Sequence, residues 1–145
     1  MGYEIKNKRE LPVKCKVYLL NALTYTEKAK DIYNEDYERF FTEDNSEIEV
    51  PFLSQLKLNQ CLLIAQENMF NLYNYCNMRN YRKPLIKRLE HLLSDFELLN
   101  EAVEDFKLVK DEELYKENTI QILRDFDDYL ENIKIGIEDI VYNRI

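Results

Sequence analysis

Apolar residues recur every three or four positions along most of the chain. The clearest row alternates spacings of four and three through Leu85, Leu89, Leu92, Phe96, Leu99, Val103 and Phe106. Two further rows have the same spacing: Leu58, Leu62, Ala65, Met69, Leu72 and Cys76, and then Phe126, Leu130, Ile133, Ile137 and Ile140. This period places all members of a row on one face of an α-helix. The pattern predicts three helices, each with one face in a core.

The first part of the chain is less regular. Its apolar positions are Val13, Val17, Leu20 and Leu23, then, beyond a polar middle, Ile32, Tyr33, Tyr37, Phe40 and Phe41. We expect a further helix here with these residues on its core face, and we expect it to end or bend near Asn34.

Proline marks three of the helix starts. Pro12, Pro51 and Pro84 each open an apolar-periodic segment, and proline is tolerated in the first turn, where the N–H groups have no partner within the helix. Asp111 can cap a fourth start. The predicted helices span 12–41, 52–80, 82–107 and 111–142. Their similar lengths and short connections predict one all-α domain over 1–145, an up-down-up-down antiparallel four-helix bundle.

More apolar residues lie outside these rows. They are Leu63, Ile64, Phe70, Tyr73, Ile86, Leu93, Ile120, Ile122, Ile135 and Tyr142. A wide apolar face on each bundle helix explains them as well as a surface for neighbouring subunits does. We favour a homo-oligomer.

Composition narrows the class of protein. Of 145 residues, 46% are hydrophobic and 33% are charged, which is typical of neither a disordered nor a membrane-spanning chain. The first residues lack the apolar stretch of a secretory signal. Cys15, Cys61 and Cys76 form no C-x-x-C motif and indicate buried thiols in a reducing compartment. We expect a soluble cytoplasmic protein that does not contact a membrane.

Residues for catalysis are scarce. The chain has two glycines and therefore no glycine-rich phosphate loop or dinucleotide-binding turn. His91 is its one histidine and has Arg88, rather than a glutamate, three positions before it. No local signature accompanies a cysteine or serine nucleophile. We expect a non-enzymatic protein with no catalytic residue, no metal and no cofactor.

Charge is segregated along the chain. Residues 1–30 carry seven bases and three acids, residues 31–50 carry one base and eight acids, and residues 79–88 carry five bases and no acid. An up-down bundle would bring the start of its first helix to the junction between its second and third helices. The expected basic end contains Lys6, Lys8, Arg9, Lys14 and Lys16 together with Arg79, Arg82, Lys83, Lys87 and Arg88, with Tyr81 and Tyr18 nearby.

Two functions fit this distribution of charge. Clustered cations neutralise phosphates and aromatic rings stack on unpaired bases, so these bases and Tyr81 are candidate nucleic-acid-binding residues. Bases at a helix N-terminus and in a loop are, however, often only solvated, and the net charge of −8 repels polyanions at long range. The alternative is a protein-interaction module of a mobile element or phage that acts through its acidic end or its additional apolar residues.

Four segments also carry a family resemblance: ELPVKCKVYLL at 10–20, FLSQLKLNQCLLIA at 52–65, RNYRKPLIKRLEHLLSDFELL at 79–99 and DFKLVKDEELY at 105–115. In this order they resemble the accessory variability determinant proteins of diversity-generating retroelements and the related four-helix proteins of 23S ribosomal RNA intervening sequences. The resemblance implies a pentameric ring of four-helix bundles that holds RNA or DNA for a partner reverse transcriptase. The family's junction bases would correspond to Arg79, Arg82, Lys83, Lys87 and Arg88. Members of that family are generally basic, whereas this chain is acidic.

Overall fold

Helices account for nearly all of the chain that the structure, a computed structural model, describes, which is residues 11–42, 50–108 and 117–142. No strand occurs in these ranges, so the all-α prediction is confirmed. In chain order the elements are α1 (Val13–Ile32), a π-helical segment (Tyr33–Tyr37), α2 (Glu38–Thr42), α3 (Phe52–Met78), α4 (Lys83–Leu108), α5 (Glu117–Arg124) and α6 (Phe126–Val141).

The helix bounds follow the prolines closely. Pro12 and Pro51 directly precede α1 and α3, and Pro84 is the second residue of α4. The start predicted at Asp111 lies outside the described residues. The single helix predicted over 111–142 is interrupted at Asp125, whose φ of −92° and ψ of 15° leave the helical region. The chain therefore continues as two helices, α5 and α6.

Three of the predicted rows form the core. Every member of the rows on α3, α4 and α6 is buried. The heptad-like spacing therefore identified the inward face of each of these helices correctly.

The core face of α1 differs from the prediction. Val13, Val17 and Leu20 are exposed, Val13 to 76%. The buried positions of α1 are Cys15, Leu19, Ala22, Thr26 and Ala29. This row has the same helical spacing but smaller side chains, which allow neighbouring helices to approach closely. Thr26 is tolerated there because its hydroxyl donates to the Ala22 carbonyl at 2.7 Å.

The irregularity expected near Asn34 is the π-helical segment. Its wider turn keeps both Tyr33 and Tyr37 buried. The Tyr33 ring stacks on Phe126 with centroids 4.6 Å apart, and its hydroxyl donates to the Leu123 carbonyl at 2.5 Å. Tyr37 lies 5.7 Å from the ring of Phe106. The segment therefore joins the end of α1 to α4, α5 and α6.

Helix α3 lies between α1 and α4, and side-chain hydrogen bonds join it to both sides. Asn21 of α1 donates to Asn68 at 3.3 Å, and Ser54 donates to Asp36 of the π-helical segment at 2.5 Å. The contacts of α3 with α4 are Asn59 to Glu104 at 2.7 Å, Gln66 to Asn100 at 2.6 Å and Tyr73 to Glu90 at 3.1 Å.

Helix α6 packs on both α1 and α4. Two ion pairs join it to α1: Lys30 with Glu131 at 2.9 Å and Glu27 with Lys134 at 3.7 Å. On the α4 side, Gly136 lies so close to Leu92 that an added Cβ would be 2.7 Å from Leu92 Cδ2. A glycine in the middle of α6 therefore permits a close approach of α4.

Candidate nucleic-acid interface

A tight turn connects α3 to the basic residues of α4. The Asn80 N–H donates to the Asn77 carbonyl at 3.3 Å, and the Tyr81 N–H donates to the Cys76 carbonyl at 3.1 Å. Asn80 has a φ of 55°, a left-handed conformation that asparagine tolerates better than most residues. These two bonds form a Schellman motif, which ends a helix by satisfying its last carbonyls. The motif fixes the positions of Arg79 and Arg82 between the end of α3 and the start of α4.

The same turn explains a correction at Tyr81. Its side chain is 5% exposed, and its ring lies 6.2 Å from that of Tyr75. The residue after the left-handed position of a Schellman motif commonly packs back on the last helical turn. The Tyr81 ring is therefore part of the core and is not presented for stacking on a base.

Two of the predicted cations, Lys14 and Arg79, contact the ring of Tyr75. The Arg79 guanidinium carbon lies 3.8 Å from the centroid of its ring, and Lys14 Nζ lies 5.1 Å from the same centroid. Both distances are within the range of cation–π attraction. The structure thus brings the first turn of α1 to the last turn of α3. We did not select Tyr75 from the sequence, although its i, i+4 spacing from Arg79 is a usable signal.

Arg88 forms an ion pair with a carboxylate of α6. Its Nη2 donates to Asp139 Oδ2 at 2.6 Å, and the Asp139 side chain is largely buried. A carboxylate on α6 therefore neutralises Arg88. Lys83 and Lys87 are exposed on the first two turns of α4, and Lys16 is exposed on α1. The bases expected at positions 6, 8 and 9 lie outside the described residues.

The parts of α1, α3 and α4 that meet at this end carry bases without acids, whereas the end of α6 brings Asp139 to Arg88. Residues 11–26 contain two bases and residues 68–89 contain five, and neither range has an acid. Burial raises the pKa of the Cys15 thiol, and the nearby charges of Lys14 and Arg79 act in the opposite direction. Positive charge is therefore concentrated in these segments of a chain of net charge −8.

The opposite end of the described chain is acidic. Burial raises the pKa of the Tyr33 phenol, and the charges of Asp127 and Glu38 raise it further. Burial also raises the pKa of Asp127, with Lys30 opposing that effect and Glu38 adding to it. Carboxylates from α2 and α6 thus converge beside the π-helical segment.

Features of other function classes are missing from the described ranges. Within 11–42, 50–108 and 117–142, no three His, Cys, Asp or Glu side chains are grouped to hold a metal ion. His91 is exposed on α4. None of the helices described is both long enough and apolar enough to cross a bilayer.

Comparison with known proteins finds no matching family model, no similar curated protein and no similar solved structure. The resemblance to retroelement accessory proteins therefore stays a prediction, and function is inferred from geometry and charge.

Proposed function

We propose that the protein is a non-enzymatic nucleic-acid-binding accessory protein that contacts phosphates through one end of its helical domain. The basic end is defined by six residues: Lys14, Lys16, Arg79, Arg82, Lys83 and Lys87. The observation that carries the proposal is that α1, the junction between α3 and α4, and the start of α4 contribute bases and no acid where they meet. Arg88 lies beside these six residues and forms an ion pair with Asp139 of α6.

The proposal includes the up-down-up-down antiparallel four-helix arrangement, with α5 and α6 together as the last member. The contacts between neighbours support it, because residue numbers rise along one helix as they fall along the next. From α1 to α3 the pairs are 21 with 68 and 36 with 54, from α3 to α4 they are 59 with 104 and 73 with 90, and from α1 to α6 they are 27 with 134 and 30 with 131.

Phosphate binding makes a quantitative prediction about salt. Each phosphate that a cation neutralises contributes about −0.7 for single strands and about −0.9 for B-DNA to the slope of log affinity against log salt. Six cations therefore set a limit of roughly −4 to −5 on that slope. Contacts with the sugar–phosphate backbone predict little sequence preference. The buried Tyr81 leaves no reason to expect stacking as the main contribution.

The experiment is fluorescence anisotropy of labelled single-stranded RNA and duplex DNA at 50, 100, 200 and 300 mM salt, roughly the range over which this dependence is measured. The test variant is Arg82→Glu/Lys83→Glu/Lys87→Glu. The matched control is Lys28→Glu/Lys57→Glu/Arg124→Glu, which changes three exposed bases away from the basic end and gives the same net charge.

We expect affinity that falls with salt and is lost in the test variant, with a much smaller loss in the control. Equal losses in the two variants would show that net charge, rather than the basic end, governs binding. Absence of binding at 50 mM salt would overturn the proposal.

The assignment of a reverse transcriptase as partner rests on the resemblance and is tested by co-purification with such an enzyme.

Homo-oligomer formation is a separate part of the proposal. Val13 and Met78, at the basic end, are each more than 70% exposed, and Val17 and Leu20 continue the apolar surface along α1. Large exposed apolar residues at one end of a molecule favour association. Sedimentation equilibrium measures the stoichiometry, and a mass five times that of the chain is expected if the resemblance holds.

A further inference from the structure

The outer surface of α3 carries a second apolar row, opposite its core row. Leu56, Leu63 and Phe70 are spaced by seven residues and therefore lie one above another, with Phe52 at the lower end of the same face. These side chains are 40–56% exposed. The row extends for roughly 27 Å, the length of about five helical turns.

The surface of α3 is also depleted in charge. Lys57 and Glu67 are the charged residues among its 27 positions, whereas 33% of the whole chain is charged. Its remaining exposed polar positions are mostly Asn and Gln. Depletion of charge around apolar residues is the composition that distinguishes the centre of a protein–protein interface from ordinary surface.

Helix α4 contributes an acidic rim along this row. Glu104 accepts a hydrogen bond from Asn59, and Glu90 accepts one from Tyr73, so both carboxylates lie on the α3 side of α4. Glu97 is seven residues from each of them and belongs to the same face, as does Glu101, four residues further on. The rim therefore extends beside Leu63 and Phe70.

The surface between the apolar row and the acidic rim, called here the α3–α4 groove, is partly apolar. Tyr73 on α3 and Ile86 and Leu93 on α4 are partly buried and pack on the core. A ligand in this groove would meet apolar side chains on one side and carboxylates on the other.

We propose that the α3–α4 groove binds a basic amphipathic helix of a partner protein. An apolar face with a period of three to four residues would cover Leu56, Leu63 and Phe70, and Lys or Arg on its flank would meet Glu97 and Glu101. Helix-in-groove recognition uses this combination of apolar anchors and complementary charge. A second copy of this chain fits less well, because antiparallel pairing of the groove on itself would oppose the two acidic rims.

The proposal is independent of nucleic-acid binding, since the groove shares no residue with the basic end. The probe is a synthetic amphipathic peptide of about 18 residues, with Leu on one face and Lys on its flanks, which spans about 27 Å as a helix. A second peptide keeps the Leu residues and replaces every Lys with Glu. Binding is measured by fluorescence anisotropy on the full chain, and amide hydrogen exchange locates the site.

Two pairs of variants separate the groove from general charge attraction. Leu63→Gln/Phe70→Gln removes the anchors without changing charge, and its control is Ile135→Gln, which replaces a side chain of similar exposure on α6. Glu97→Gln/Glu101→Gln removes rim charge, and its control is Asp31→Asn/Glu35→Gln at the acidic end.

We expect the basic peptide to bind and to protect amides of α3 and α4. The anchor variant should weaken binding tenfold or more and the rim variant several-fold, with less than a twofold change in either control. Binding of both peptides with equal affinity would show that the acidic rim does not select a basic partner, and would overturn the proposal. Equal effects of test and control variants would overturn the site. Self-association of the free protein that the anchor variant abolishes would show that a second copy occupies the groove, and would overturn the proposed partner.

Discussion

A single asparagine determines how the chain passes from α3 into α4. Asn80 takes a left-handed conformation that costs most L-residues roughly 1–2 kcal/mol. This conformation turns Tyr81 back to the core and sends Arg82 and Lys83 outward. The sequence predicted a junction here from Pro84 and the surrounding bases. It did not reveal the burial of Tyr81, because that depends on the turn geometry and not on periodicity.

Substitution of Asn80 tests the turn. We expect Asn80→Ala to lower the free energy of unfolding by about 1 kcal/mol, and Asn80→Gly to leave it unchanged or raise it slightly, since glycine has no Cβ. Urea denaturation followed by circular dichroism measures both. Asn77→Ala, at an exposed helical position nearby, is the control and should change stability by less than about 0.5 kcal/mol.

Tyr33 should make stability depend on alkaline pH. Its pKa is raised in the folded protein, so the folded state holds its proton more tightly than the unfolded state does. Stability from this group is therefore complete below the unfolded pKa of about 10 and declines as the pH rises above it.

The variant Tyr33→Phe isolates this effect. At pH 7 it should lose about 1 kcal/mol with the hydrogen bond to the Leu123 carbonyl. Above pH 10 the loss should shrink, because phenylalanine cannot ionise. Urea unfolding at pH 7, 9 and 10.5 measures the difference, with Tyr25→Phe as the control for general tyrosine titration. A constant difference at all three pH values would contradict the assignment.

At the level of helices, periodicity predicted where elements form better than which face is buried. The rows on α3, α4 and α6 have one strongly apolar face each, and those faces were predicted correctly. On α1, the row Val13, Val17 and Leu20 competes with one of smaller residues that includes Ala22 and Ala29. The smaller row is buried because it permits close packing, a property of the neighbouring helices and not of α1 alone.

The contact between Gly136 and Leu92 sets the distance between α6 and α4. Leu92 is 3% exposed and has little room to move when a side chain is added at position 136. We expect Gly136→Val to lower the free energy of unfolding by about 1–3 kcal/mol, the usual cost of overpacking a core. Gly136→Ala should have a smaller effect, because its gain in helix propensity of about 1 kcal/mol offsets part of the clash.

A double-mutant cycle with Leu92→Ala checks the cause. If the added side chain displaces Leu92, the loss in Gly136→Val/Leu92→Ala should be smaller than the sum of the two single losses. Additive losses, measured by urea denaturation, would place the effect of the valine elsewhere.

For the whole molecule, the sequence predicted that charge is segregated, but it did not predict which of the clustered bases is neutralised by a carboxylate of another helix. The basic ranges 11–26 and 68–89 could be identified directly, and packing of α1 on α3 brings Lys14 to Arg79. The pairing of Arg88 with Asp139 depends on how α4 lies against α6, which linear spacing does not encode. The α3–α4 groove could not be predicted from the sequence of α3, because that sequence does not specify which helix lies beside its apolar row. The hydrogen bonds of Asn59 and Tyr73 identify that helix as α4.

The length of the helices determines whether the charge of the acidic end acts on a polyanion bound at the basic end. α3 has 27 residues and is about 40 Å long, so the two charged ends are separated by several Debye lengths of about 8 Å at 0.15 M salt. At 0.01 M salt the Debye length is about 30 Å, and the field of the acidic end extends to the basic end. The affinity for nucleic acid should therefore stop rising, or fall, as salt is lowered toward 0.01 M. Anisotropy titrations extended to that concentration measure the turnover, and an uninterrupted rise would mean that the bound strand is insensitive to the distant carboxylates.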